Sequence, residues 1–223
     1  MGFLLWSSDR LATFVVTVGR VFAWLAVALM LVILFDVITR EIKSSDWIGN
    51  FPDLQAFFRA IDPYASSTKL QELEWHLHGA LFLMCMGYAY VKDAHVRIEL
   101  LRDNFNSNLR AWVELLLILA FMAPYCYMVI SHGITFAERS FIRNEGSSAM
   151  TGLPERWIIK SFLPIGFTML ALGGLSVALK CIVHIFGPHH LSDEAGAYFR
   201  PKSILEDDTD ADADEALMGS ANR

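Results

Sequence analysis

Charged side chains are nearly missing from four stretches of this 223-residue sequence, near Leu11 to Ile38, Leu73 to Val91, Ala111 to Phe136 and Trp157 to Phe186. Each is close to or longer than the ~20 residues an α-helix needs to cross the hydrocarbon core of a bilayer. Little chain is left over for a second, water-soluble domain. Cysteine is scarce as well. Cys85, Cys126 and Cys181 all lie inside apolar stretches with no Cys-x-x-Cys spacing, which argues against a disulfide framework or a zinc site and reads as three small buried hydrophobes. A cleavable leader is disfavoured too. Arg10 precedes the first stretch and Ala26-Val27-Ala28 is loosely like a cleavage site, but the apolar run continues to Ile38, well past the ~7–15 residues of a signal core, and so predicts a retained anchor.

What is present is apolar: 54% of the residues are hydrophobic and the mean hydropathy is +0.39. The net charge of -6 is localised. Residues 1–190 hold 15 Lys/Arg and 15 Asp/Glu, whereas residues 191–223 hold 3 and 9. In that tail Glu206, Asp207, Asp208, Asp210, Asp212, Asp214 and Glu215 alternate with small residues, a composition that cannot bury enough apolar area to offset ordering entropy. The predicted architecture is therefore an all-α integral membrane protein. It has a four-helix membrane domain over 1–190, an amphipathic interfacial helix in the first linker, and a disordered acidic tail over 191–223.

The first stretch closes with Asp36 and Arg40, four residues apart on one helical face and able to pair at the membrane boundary. In the linker that follows, Leu54, Phe57, Phe58 and Ile61 recur at helical spacing opposite Asp53, Gln55, Arg59 and Asp62. Pro52 suits a first helical turn and Asp62-Pro63 a stop, which predicts an amphipathic helix near 52–62 with Trp47 and Tyr64 as interfacial anchors. Its alternative use is as a docking face for a partner protein.

The second stretch opens with Glu72, Glu74, Trp75, His76 and His78. Each Glu lies four residues before a His, but one helix cannot supply the three or four convergent ligands of a metal site, so these groups read as a hydrated helix mouth with Trp75 at headgroup depth. Gly79, Ala80, Gly87 and Ala89 permit close helix approach, as do Gly174 and Ala178 in the fourth stretch. Between the second and third stretches, Ile98, Leu101 and Phe105 keep helical spacing among charges, predicting a surface-lying helix or elbow. Glu114 and His132 near the ends of the third stretch read as interfacial or bundle-facing. Pro124 should kink the third stretch, Asn144 to Ser148 should end it, and Gly187-Pro188 should end the fourth. With Arg20 left out, one side of an alternating topology holds nine Lys/Arg and the other eight, a slight preference for cytoplasmic termini.

Gly87-Tyr88-Ala89-Tyr90, Lys92, Asp93 and His95-Val96-Arg97-Ile98-Glu99-Leu100 stand between the second and third stretches. This arrangement resembles the small permease (Q, DctQ-like) subunit of tripartite ATP-independent periplasmic (TRAP) transporters, with Glu99 where the pattern usually has Asp. Gly152-Leu153-Pro154-x-Arg156-Trp157-x-x-Lys160-x-x-x-Pro164-x-Gly166 and the enlarged first linker resemble the subgroup labelled for mannitol or chloroaromatic compounds. The likeness covers roughly residues 10 to 187. It implies a multi-pass subunit of the bacterial inner membrane with both termini cytoplasmic, a non-enzymatic scaffold for a large multi-span M subunit. The M subunit would move an organic acid or related solute with a sodium gradient after delivery by a periplasmic binding protein. No cofactor is implied, the coupling ion is expected on the large subunit, and no nucleic acid takes part. The expected interface residues are Lys92, Asp93, His95, Arg97 and Glu99 in the connector, with Asp36, Arg40 and Trp75 on the periplasmic side.

Two other classes compete. A four-helix cytochrome b subunit would ligate haem through paired histidines, for which His76, His78 and His132 are the candidates on one side. A small stand-alone channel or exporter would line a path with polar residues, which these stretches largely lack.

Overall fold

The computed structural model describes residues 1–44, 51–61, 66–94, 106–149 and 151–196. Every regular element among them is helical: α1 (Gly2–Ala23), α2 (Leu25–Ser44), α3 (Pro52–Ile61), α4 (Ser67–Val91), α5 (Ser107–Leu117), α6 (Ala123–Ile142), α7 (Trp157–Phe186) and α8 (His189–Gly196). α1 and α2 join at Trp24, itself in right-handed helical conformation, into one helical run Gly2–Ser44. α5 runs into α6 through a π-helical turn, Ile118–Met122.

Three of these units are long and apolar enough to cross a membrane: Gly2–Ser44, Ser107–Ile142 and Trp157–Phe186. α4, at 25 residues, would reach ~37 Å at 1.5 Å per residue. Its first turns carry Lys69, Glu72 and Glu74, and the apolar sequence begins only after them.

The helices alternate in direction around α7. Ser8 meets Ser176 and Phe22 meets Phe162, so α1 runs antiparallel to α7. α4 runs parallel to α7, because Gly166 faces Leu83 while Gly87 faces Met169. α5 and α6 are antiparallel to α7, with Trp112 on Phe186, Tyr125 on Phe167 and Phe141 on Trp157. α8 folds back so that Ala195 and Leu191 pack on Leu5 and Val183. Both the amino terminus and Gly196 therefore lie at one end of the bundle.

Small residues set the tightest crossings. A methyl group added at Gly166 would come within 2.7 Å of the Leu83 carbonyl oxygen, and one at Gly87 within 2.7 Å of that of Met169. At Gly19 it would lie 2.3 Å from Tyr88 Cβ. Without a hydrophobic drive between helices in lipid, such backbone proximity is how membrane helices gain contact. A buried cluster of Ala111, Leu115, Ile118, Val177, Ala178 and Cys181 joins α5 to α7.

Several expectations meet the structure differently. The first helix starts at Gly2 rather than near Leu11, because Leu5 and Ser8 are buried against the end of α7. At Pro124, the ring's missing N–H falls at the start of α6, directly after the π-helical turn, a widening that tolerates a lost backbone bond. Residues 191–196, assigned from composition to the tail, belong to α8. The rest of the tail, 197–223, lies outside the described residues. The helix expected near 52–62 is present as α3, with Phe57 and Phe58 edge-to-face at 5.6 Å. Trp47 and Tyr64 lie outside the described residues.

Candidate functional site at the two polar ends of the bundle

α4, the continuous α5–α6 unit and α7 each carry a charge-free interval between two charged bands: Glu74 to Lys92, Glu114 to Glu138 and Lys160 to Lys180. The last interval, 20 residues, corresponds to ~30 Å, the thickness of a hydrocarbon core.

At the end remote from the amino terminus, Asp36 is 3% exposed and its carboxylate is fully engaged. Oδ2 accepts from the Arg40 guanidinium, Oδ1 accepts the Ser67 hydroxyl at 2.9 Å, and Arg40 also donates to Ser67 Oγ at 3.0 Å. The expected Asp36–Arg40 pair is thus present, and Ser67 extends it into a staple between α2 and the first turn of α4. Ser66 caps that turn by accepting the Lys69 N–H at 3.4 Å.

The sequence pattern places Glu72 in a hydrated helix mouth. Glu72 instead fastens the loop between α6 and α7. Oε1 accepts the Ser147 hydroxyl, Oε2 accepts the Leu153 backbone N–H at 2.6 Å, and Arg156 stands 3.9 Å from Oε1. Hydrogen bonds from Ser147 and then Leu153, aided by the Arg156 charge, hold the Glu72 carboxyl below the usual carboxylate value. A side chain at Gly152 would collide with Ser147 and Glu72, so only glycine fits beside the clamp. His76 Nδ1 is 2.5 Å from the Glu72 backbone carbonyl, not its carboxylate.

The loop is further fixed by Lys160, which pairs with Glu145 and lies 4.1 Å from the Phe136 ring centroid. The Lys160 hydrogen bond, with a second from Ser140, lowers the Glu145 carboxyl. Asn144, at φ 47°, stops α6: its N–H reaches the Phe141 carbonyl at 3.0 Å and that of Glu145 reaches Ser140 at 3.0 Å. This is the paired bonding of a left-handed helix stop. Gly152, Leu153, Arg156, Lys160, Pro164 and Gly166 of the quoted motif therefore all hold the loop and helices together, the first four around the Glu72 and Glu145 carboxylates and the last two by packing: Pro164 is buried near Gly133, and Gly166 lies on α4.

At the other end, Ser8 and Ser176, both buried, bond to each other's backbone carbonyls at 2.9 Å, and Asp9 pairs with Lys180 at 3.1 Å. Tyr90 donates to Glu114 Oε1 at 2.8 Å. The Gly87-Tyr88-Ala89-Tyr90 stretch thus contacts three helices: Gly87 meets α7, Tyr88 meets Gly19 of α1, and Tyr90 meets α5.

Of the predicted interface residues, Lys92 is the exposed cap of α4. Asp93, at φ 54°, is the left-handed stop: its N–H bonds Tyr90 at 3.1 Å and that of Ala94 bonds Ala89 at 2.9 Å. Trp75 is 77% exposed on α4. His95, Arg97 and Glu99 lie outside the described residues. Sequence reasoning passed over Ser8, Ser176 and Gly19; a polar or small residue within an apolar run is the signal that could have found them.

Among the described residues, no group of three His, Cys, Asp or Glu side chains is placed to hold a metal ion. A surface groove of about 470 Å³ between α6 and α7 is lined by His132, Gly133, Phe136, Arg139 and Leu163. It is open to the surroundings and carries no carboxylate.

No curated protein and no solved structure matches the chain. A family model does: that of the tripartite ATP-independent periplasmic transporters, DctQ component, matches residues 53–184, more than half of the sequence. This segment holds the α4–α7 framework, the glycine crossings and the Glu72 clamp, and on that match the chain belongs to the DctQ component family, the small membrane subunit of TRAP transporters.

Proposed function

We propose that this chain is the fixed scaffold subunit of a sodium-coupled transporter for an organic acid or related small solute. In this reading it supports a large multi-span permease subunit and helps dock the periplasmic binding protein. α4 serves as the fourth crossing, both termini face the cytoplasm of the inner membrane, and α3 lies in the outer interface. The observation that supports this reading is how the polar groups are used. Asp36, Glu72, Glu145, Ser8 and Ser176 bond helix to helix or loop to helix, where a transport pathway would present them to a solute. Such a bundle suits a stationary support.

The mannitol or chloroaromatic subgroup remains part of this proposal, and the solute itself would be chosen by the binding protein. The haem-binding and channel readings gain no support from the family match. Proteoliposomes test the proposal. Large subunit, binding protein and this chain together should give sodium-driven uptake, and omission of this chain should abolish it. Equal uptake without this chain would reject the scaffold role.

A further inference from the structure

In the bundle's charge-free intervals one charged residue stands out among the described residues. The first helical run is without charge from Arg10 to Asp36 except for Arg20. Arg20 lies 10 residues from Arg10 and 16 from Asp36, or ~15 and ~24 Å along the helix. Its neighbour Gly19 packs on Tyr88, level with the middle of the α4–α7 crossing. Arg20 therefore lies inside the charge-free interval, between Gly19 on Tyr88 and Phe22 on Phe162. It is also exposed, pointing away from the bundle, and no described residue pairs with it.

The surface that follows Arg20 along the helix is apolar and unused. The most apolar window of Gly2–Ser44, which begins just after Arg20, has a mean hydropathy of 2.8 and only 6% of it is buried, against 39% for Trp157–Phe186. Val21 and Trp24 beside Arg20 are 63% and 73% exposed. Lipid satisfies Val21 and Trp24. It does not satisfy a guanidinium, which cannot lose its proton and at this depth has no water for its five donors.

On the scaffold reading above, we propose that Arg20 is the docking point for the large permease subunit, its guanidinium meeting a carboxylate on a transmembrane helix of that partner. Charge and depth select this occupant. The described helices of a second copy of this chain offer no carboxylate at that level, since α4, the α5–α6 unit and α7 carry none between their end bands. A lipid phosphate sits at the bilayer surface, ~15 Å away along the helix and beyond the reach of an arginine side chain. A planar, bidentate Arg–carboxylate pair in a dry setting fixes register as well as affinity. Thr17, one turn away and exposed, bonds its hydroxyl back to the Thr13 carbonyl and leaves a narrow polar strip toward Arg20.

The test is co-expression of this chain with its large subunit, followed by affinity purification in mild detergent and quantification of both chains. Arg20→Leu and Arg20→Glu should lower recovery of the large subunit about tenfold or more, because either change leaves the partner's carboxylate without its cation. Arg20→Lys should keep part of it. Purified alone, the Arg20→Leu chain should keep its helical circular dichroism and its thermal midpoint, which separates lost docking from lost folding. Exchanging a membrane carboxylate of the large subunit for lysine should restore recovery with Arg20→Glu. Undiminished recovery with Arg20→Leu overturns the inference while leaving the scaffold role standing. Failure of the wild-type chain to bring down the large subunit overturns both. Cross-linking of Arg20→Cys to a second copy within the assembled complex, or the absence of any rescuing carboxylate, overturns the choice of occupant.

Discussion

Ser8 and Ser176 hold α1 against α7 by reciprocal hydrogen bonds, each hydroxyl donating to the other residue's backbone carbonyl at 2.9 Å across 168 residues of chain. Both side chains are buried, and the two oxygens are 3.2 Å apart. Polar contacts between membrane helices average ~0.6 kcal/mol and reach ~1.7. The double replacement Ser8→Ala with Ser176→Ala should therefore cost about 1 kcal/mol, with a coupling energy in the double-mutant cycle, read by denaturant titration in micelles. Ser8→Leu should cost more, since the residue has no room to grow.

Glycine replacements separate crossing points from open surface. Gly166→Ala and Gly87→Ala place a methyl 2.7 Å from a backbone oxygen that cannot rotate away, and Gly19→Ala places one 2.3 Å from Tyr88 Cβ. Each should destabilise the bundle by about 1–3 kcal/mol. Gly2→Ala and Gly146→Ala meet nothing within 4 Å and serve as controls. Thermal midpoints in one detergent decide between these groups.

The Glu72 clamp has a signed pH dependence. Its carboxyl is held below the ordinary value of 4.5, so its contribution is complete above pH 4.5 and is lost as the pH falls through the lower folded value. Hydrogen exchange at the Leu153 amide should stay slow throughout the range above 4.5 and rise only in stronger acid. Glu72→Ala, which strands the Leu153 N–H and the Ser147 hydroxyl, should cost about 1–3 kcal/mol and speed that exchange at neutral pH.

Asp93 distinguishes backbone from side-chain importance. At φ 54° it occupies the left-handed region, which costs an ordinary residue ~1–2 kcal/mol and glycine almost nothing. Asp93→Gly should hold or raise stability, whereas Asp93→Val should lower it by about that amount. A loss of assembly in Asp93→Gly without loss of stability would assign the carboxylate a role at the partner interface.

The elements that were legible in the sequence are those set by local pattern. Apolar runs located the long helices, Pro52 and the Phe57/Phe58 spacing located α3, the four-residue step from Asp36 to Arg40 announced their pair, and Gly87 marked a close crossing. What was not legible depends on distant partners. Glu72 is 75 residues from Ser147 and 81 from Leu153, and nothing near Glu72 in sequence announces a loop to be held. The polar residues Ser7 to Arg10 precede the first apolar stretch, yet they are helical because Leu5 and Ser8 have α7 to pack against. α4, read from the sequence as an apolar stretch from Leu73, is not among the three units long and apolar enough to cross a membrane, since its polar first turns serve the staple and the clamp at the expense of a uniform apolar signal.

Native mass spectrometry of this chain co-expressed with its neighbouring genes tests the central claim most directly. The account predicts one copy of this chain bound to one large multi-span subunit. A homo-oligomer, or a haem-containing species that lacks that partner, would contradict it.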